Sequence, residues 1–120
     1  MFLVTGATGF LGQNIIKEIS KKGKDIGGIR ILTTDPEKAK KMYPKYEIVR
    51  GDVTDPKTLE GIGKGVDTII HLAGLVSYTK PREELFRVNV EGTRNILEAC
   101  PNAKKSYIVL VPHEQVAEPG

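Results

Sequence analysis

Apolar residues along this chain follow two alternating patterns. Short apolar runs at 2–4, 29–33, 46–50, 66–72 and 107–111 have the length and β-branched character of strands. Between them the spacing becomes helical. After Phe10, the apolar residues Leu11, Ile15 and Ile19 stand four apart with Ile16 beside them, while Lys17, Glu18, Lys21 and Lys22 form the wet face. Gly23 is placed as the stop of that helix. Asp35-Pro36 pairs a capping carboxylate with proline at the first helical position, predicting a brief helix at 36–42 that Pro44 ends. Asp55-Pro56 repeats the signal for a short helix to Ile62, made ragged by Gly61, Gly63 and Gly65. The longest helix is predicted at 81–100, with Leu85, Val88, Ile96 and Leu97 on its apolar side and Gly92 permitting close contact. Residues 24–28 and 75–80 read as loops.

Strands alternating with helices imply an α/β domain at 1–111, a Rossmann-like doubly wound parallel sheet of about five strands in the order 3-2-1-4-5, followed by a polar tail at 112–120. Such sheets bind ligands beyond the C-terminal ends of their strands, where the strand order reverses. Here that place lies between strands 1 and 4. Strand 1 runs into Thr5-Gly-Ala-Thr-Gly-Phe-Leu-Gly12 and strand 4 into His71-Leu-Ala-Gly74. Gly6, Gly9 and Gly12 sit between strand and helix with Thr8 among them, so the first amides of the helix face the space above the turn. Those N–H groups lack intrahelical partners and carry the positive end of the helix dipole, a setting for a pyrophosphate.

Composition narrows the classes. A chain of 120 residues with 39% hydrophobic and 28% charged residues is a globular domain and not a disordered one. Its net charge of +3 comes from lysines scattered at 21, 22, 24, 38, 40, 41, 104 and 105, a solvated basic surface and not a nucleic-acid site. Cys100 is the only cysteine, which excludes an intrachain disulfide and fits a reducing compartment. No apolar stretch approaches the ~18 residues of a membrane span, and none resembles a signal peptide. The expected location is cytoplasmic, without a membrane partner, and no metal ligand set is read.

The run at 5–12 resembles the nucleotide-binding turn of the extended short-chain dehydrogenase/reductase family, which includes NAD-dependent epimerases/dehydratases and dihydroflavonol-reductase-like enzymes. Gly51-Asp-Val53, His71-Leu-Ala-Gly74 and Asn89-Val-Glu-Gly-Thr-Arg-Asn-Ile-Leu-Glu-Ala-Cys100 are similar to later family stretches and follow in family order. The resemblance implies a bound NAD or NADP. Gly6 would allow the turn, Gly9 the approach of pyrophosphate, and Gly12 the packing of helix on sheet, with the Phe10 and Leu11 amides facing the phosphates. Asp52 would accept from the adenine amino group beside the Val53 N–H; its alternative is a plain turn residue. Leu72, Ala73 and Gly74 would pass under the nicotinamide-side ribose. His71 is expected to be structural, and Asn89 either orders the site through backbone contacts or is an ordinary helix-surface residue. The resemblance puts the ribose-reading position at Thr33 or Thr34, where no acidic residue stands. Thr34, with Lys38 approaching, inclines the reading to NADP.

The family's chemistry uses a Tyr-x-x-x-Lys pair, and none is present. Four residues after Tyr43, Tyr46, Tyr78 and Tyr107 stand Glu47, Arg50, Arg82 and Val111. No catalytic residue is therefore assigned, and the sixth strand is missing. Three readings stay open: a piece of a larger enzyme, a minimal binding domain, and an interaction module on the same fold. The strand at 107–111 is an apolar edge, expected to self-associate as a dimer.

Overall fold

A computed structural model describes residues 1–22, 28–73 and 82–110. Along them run β1 (Phe2–Thr5), α1 (Phe10–Ser20), β2 (Ile29–Thr33), α2 (Pro36–Met42), β3 (Glu47–Arg50), a single 3-10 turn (Pro56–Leu59), β4 (Thr68–Ala73), α3 (Arg82–Ala99) and β5 (Lys105–Leu110). The strands make one sheet in the order β3-β2-β1-β4-β5, every neighbouring pair parallel, as the alternating pattern requires. Thr5 pairs with Leu32 on one side and His71 on the other, and Thr33 pairs with Arg50. The strand ends that carry the glycine turn, the α2 cap, Gly51-Asp52 and Ala73 thus share one edge of the sheet.

Both faces are covered, which explains why β1 and β4 lack polar alternation. On one face Val4, Ile31 and Ile70 pack with Ile16 and Ile19 of α1 and Ala39 of α2. On the other, Leu3, Leu32 and Ile69 meet Leu59, Ile62, Ile96 and Cys100. Each fully buried leucine or isoleucine contributes about 1.5–3 kcal/mol. The Asp35 cap forms as expected, its carboxylate accepting from the Lys38 amide at 3.2 Å with Pro36 at the first helical position. Arg30 is an apolar-face exception that satisfies itself: Nε donates to Glu47 and Nη1 to the carbonyls of Ile62 (2.6 Å) and Lys64 (2.8 Å).

Three expected boundaries shift, each for a backbone reason. The short helix expected to reach Ile62 stops after one 3-10 turn at Leu59. Gly61, the residue after the C-cap Glu60, and Gly65 then take φ of +78° and +77°, left-handed turns that stop the element there. β4 begins at Thr68, because the Val66 amide is held in a turn by the Gly63 carbonyl; Val66 is a buried anchor before the strand. β5 begins at Lys105, ahead of its apolar run, because the Asp67 carbonyl accepts from both Lys104 and Lys105 and seeds the ladder there. The expected stop at Gly23, the loop at 75–80, the start of the long helix at 81, Val111 and the tail lie outside the described residues. Among the described residues no helix is long and apolar enough to cross a membrane.

Candidate functional site

The glycine turn connects β1 to α1 at the point where the sheet order reverses. Gly6 adopts φ +72°, and a Cβ there would lie 2.9 Å from the Leu72 Cβ and 3.0 Å from the Leu72 carbonyl oxygen. Strand β4 therefore presses directly on the turn. Gly12 is tighter: a Cβ would fall 2.1 Å from the Gly6 carbonyl oxygen and 2.7 Å from Ala7 Cα. The expected role for Gly12 was packing of helix on sheet, and the contact that needs it is helix on turn. Gly9 differs from both, since among the described residues a Cβ there would meet only the Gly6 oxygen at 3.7 Å. Among the described residues the space above Gly9 is open, as a close-approaching phosphate requires.

Gly9 is also the N-cap of α1, so the N-cap residue offers no capping side chain. The first-turn amides at Phe10 and Leu11 are left to solvent or a ligand. Phe10 itself is 85% exposed beside them. Around the turn, Gln13 donates to the Thr8 carbonyl, and the Tyr43 hydroxyl donates to the Ala7 carbonyl at 2.7 Å. Tyr43 is thereby a brace between the end of α2 and the turn, and burial pushes its phenol above the ordinary range.

The β1–β4 junction is locked by side chains. The Leu72 amide donates to Thr5 Oγ1 at 3.2 Å, and Thr5 Oγ1 lies 2.6 Å from His71 Nδ1. The hydroxyl and Nδ1 share one hydrogen bond, with the donor set by the ring tautomer. Nε2 is buried and has no hydrogen-bond partner among the described residues. Desolvation holds the His71 pKa below its ordinary value, so the ring is neutral. This is the behaviour of a structural histidine.

Asp52 follows β3 at the same edge. One carboxylate oxygen, Oδ1, accepts from both the amide (2.9 Å) and the hydroxyl (2.7 Å) of Thr54, while the Asp52 amide donates to Thr58 Oγ1. The turn-residue role and the ligand role are compatible, because Oδ2 has no hydrogen-bond partner among the described residues. Gly51 precedes it where a Cβ would be 2.6 Å from Leu32 Cδ1, and its amide extends the ladder to the Thr33 carbonyl. At the end of β2, Thr33 Oγ1 accepts from the Asp35 amide and is occupied by the α2 cap; Thr34 is exposed. Of the two threonines, Thr34 is the one free to face a ligand.

Helix α3 closes the loop from the other face. Asn95 Nδ2 donates to the Val53 carbonyl at 2.8 Å, and Gly92 sits where a Cβ would touch Val53 Cγ2 at 2.8 Å. Asn95 thus makes a side-chain contact to backbone across the fold, and the Asn89 carbonyl accepts from Thr93 within the helix. Spacing held the clue, since Gly92 and Asn95 are three apart and share a helix face. Tyr43 carried no such signal. Gly6, Thr8, Gly9, Phe10, Leu11 and Gly12 all fall on one turn, with Leu72 against it and Ala73 ending β4, while Thr34, Asp52 and Val53 follow β2 and β3 along the same edge. Gly74 lies outside the described residues.

A family model described as the 3-beta hydroxysteroid dehydrogenase/isomerase family matches residues 3–119. The chain belongs to that family. Among curated relatives, the hydroxysteroid dehydrogenase family member is 36% identical over 99% of its length to "Uncharacterized protein 052L" of Frog virus 3 (isolate Goorha), covering 34% of that protein. It is 29% identical to human 3 beta-hydroxysteroid dehydrogenase type 7 over 100% of this chain and 34% of that one. The chain thus spans about a third of the length of these relatives. A solved short-chain dehydrogenase/reductase superfamily protein from Agrobacterium tumefaciens, with bound NAD, superposes with a TM-score of 0.67 at 30% identity, over 92% of this chain and 31% of that one. The short-chain dehydrogenase/reductase likeness read from the four motifs agrees with both.

Proposed function

We propose that residues 1–120 bind NAD or NADP as the cofactor half of an oxidoreductase that transfers hydride at a hydroxyl or carbonyl carbon. The observation that carries it is the glycine turn: backbone packs against backbone at Gly6 and Gly12, while among the described residues the space over Gly9 and the first α1 amides stays open. Pyrophosphate belongs on the Phe10 and Leu11 amides, adenine against Asp52 and Val53, and the nicotinamide-side ribose over Leu72, Ala73 and Gly74. A bound nicotinamide supplies or accepts the hydride. This chain's residues bind and orient it; with no Tyr-x-x-x-Lys among them, the proton-transfer groups come from elsewhere in a longer protein. Thr34 and Lys38, with no carboxylate assigned to the ribose, favour NADP over NAD. Calorimetric titration with each cofactor tests the reading. Binding of both, tighter for NADP and without turnover on ketones or sugar nucleotides, is the expected result; no binding of either at millimolar concentration refutes it.

One observation favours self-association as a second property of these 120 residues. β5 is an edge of the described sheet, and Tyr107, Ile108 and Val109 are 54%, 39% and 37% exposed. Paired edges would bury them. Light scattering should find a dimer that Ile108→Lys converts to monomer. A wild-type monomer at high concentration refutes it.

A further inference from the structure

Helix α3 makes two contacts with one residue of the loop after β3, and both land on Val53. The amide of Asn95 fixes the Val53 carbonyl, and the missing side chain of Gly92 lets the helix backbone lie against the Val53 side chain. The partners are 42 residues apart in sequence, so this is a tertiary clamp. Asp52, immediately before Val53, is held from the other direction: Oδ1 by Thr54 and the main chain by Thr58. With Oδ1 committed, the only carboxylate acceptor left to a ligand is Oδ2, and its direction is set by the peptide planes on either side. Holding the Val53 carbonyl fixes the peptide plane that carries the Thr54 amide, and that amide holds Asp52 Oδ1, which ties the carboxylate and the Val53 main chain to α3.

We propose that Asn95 is a positioning residue for adenine recognition, acting through the Val53 carbonyl to aim Asp52 Oδ2 and the Val53 N–H at the amino edge of the base. This rests on the dinucleotide reading above and assigns to α3 a role in selecting the base. A carboxylate oxygen accepts from the adenine amino group but opposes the carbonyl that replaces it in hypoxanthine. Discrimination between those two bases therefore reports the aim of Asp52 and not merely the integrity of the fold. Gly92 serves the same end, since any side chain there must displace Val53.

The test titrates the full chain with NAD, with nicotinamide hypoxanthine dinucleotide and with nicotinamide mononucleotide. Wild type should prefer NAD over the hypoxanthine analogue by about tenfold or more, the range for a hydrogen bond to a charged group. Asn95→Leu, nearly isosteric and without the donor, should reduce that ratio to roughly twofold or less while leaving mononucleotide binding unchanged, because the loss is confined to one end of the ligand. Gly92→Ala should lower the ratio in the same direction and decides the matter if Asn95→Leu does not fold. Retention of the wild-type ratio in the folded variant overturns the proposal. Equal binding of the two dinucleotides by wild type also overturns it, while leaving dinucleotide binding intact. Binding of neither dinucleotide by wild type removes the dinucleotide reading and this proposal together.

Discussion

Gly12→Ala is the sharpest probe of the turn. A Cβ at position 12 would lie 2.1 Å from the Gly6 carbonyl oxygen, 2.7 Å from Ala7 Cα and 2.8 Å from the Ala7 carbonyl carbon. All three obstacles are backbone, so no rotamer change relieves them. Either α1 withdraws from the turn or the turn moves off Leu72. Overpacking a buried site costs up to about 3 kcal/mol. Alanine in place of glycine inside a helix returns about 1 kcal/mol. The net loss is about 2 kcal/mol, which lowers the Tm of a domain this size by roughly 8–10 °C. Gly9→Ala is the matched comparison: among the described residues its Cβ meets nothing closer than 3.7 Å, and φ there is −78°. It should leave Tm unchanged and weaken cofactor binding, since its methyl projects into the space assigned to pyrophosphate. Differential scanning fluorimetry and calorimetric titration separate the two effects. A Gly12→Ala protein that melts within a degree or two of wild type refutes the packing argument.

Other outcomes follow from single contacts. Arg30→Met removes the donor to the Ile62 carbonyl, which is part-buried, and to the Lys64 carbonyl, which water can reach. Urea unfolding should lose about 2 kcal/mol, mostly from the Ile62 carbonyl; an unchanged midpoint contradicts this. For His71, burial holds the folded pKa below the ordinary 6.5. The folded state then takes up a proton less readily than the unfolded one. Its stabilising contribution is complete above about pH 6.5 and declines as pH falls toward the lower folded value. Thermal melts from neutral to mildly acid pH should show a slope that His71→Gln reduces; equal slopes refute the assignment.

Much of the fold was legible because two signals coincided at each element. Asp35-Pro36 announced α2 by capping chemistry, and the continuous apolar run at β4 announced burial on both faces. Boundaries were less legible, because main-chain pairing sets them. Lys105 and Ser106 look like loop residues but join β5 through the Asp67 carbonyl and the ladder to β4. The site divided in the same way. Glycines mark where backbone must approach backbone, so Gly6 and Gly12 stood out. Asn95 and Tyr43 act on carbonyls far away in sequence, and carbonyls leave no trace in the residue alphabet.

The Thr5 hydroxyl has a consequence for observing the site. The Leu72 amide donates to that side chain at the mouth of the β1–β4 crevice. Where β1 and β4 part locally that bond breaks, and isotope exchange of the Leu72 amide reports the opening. One proton becomes a gauge of how often the cradle opens.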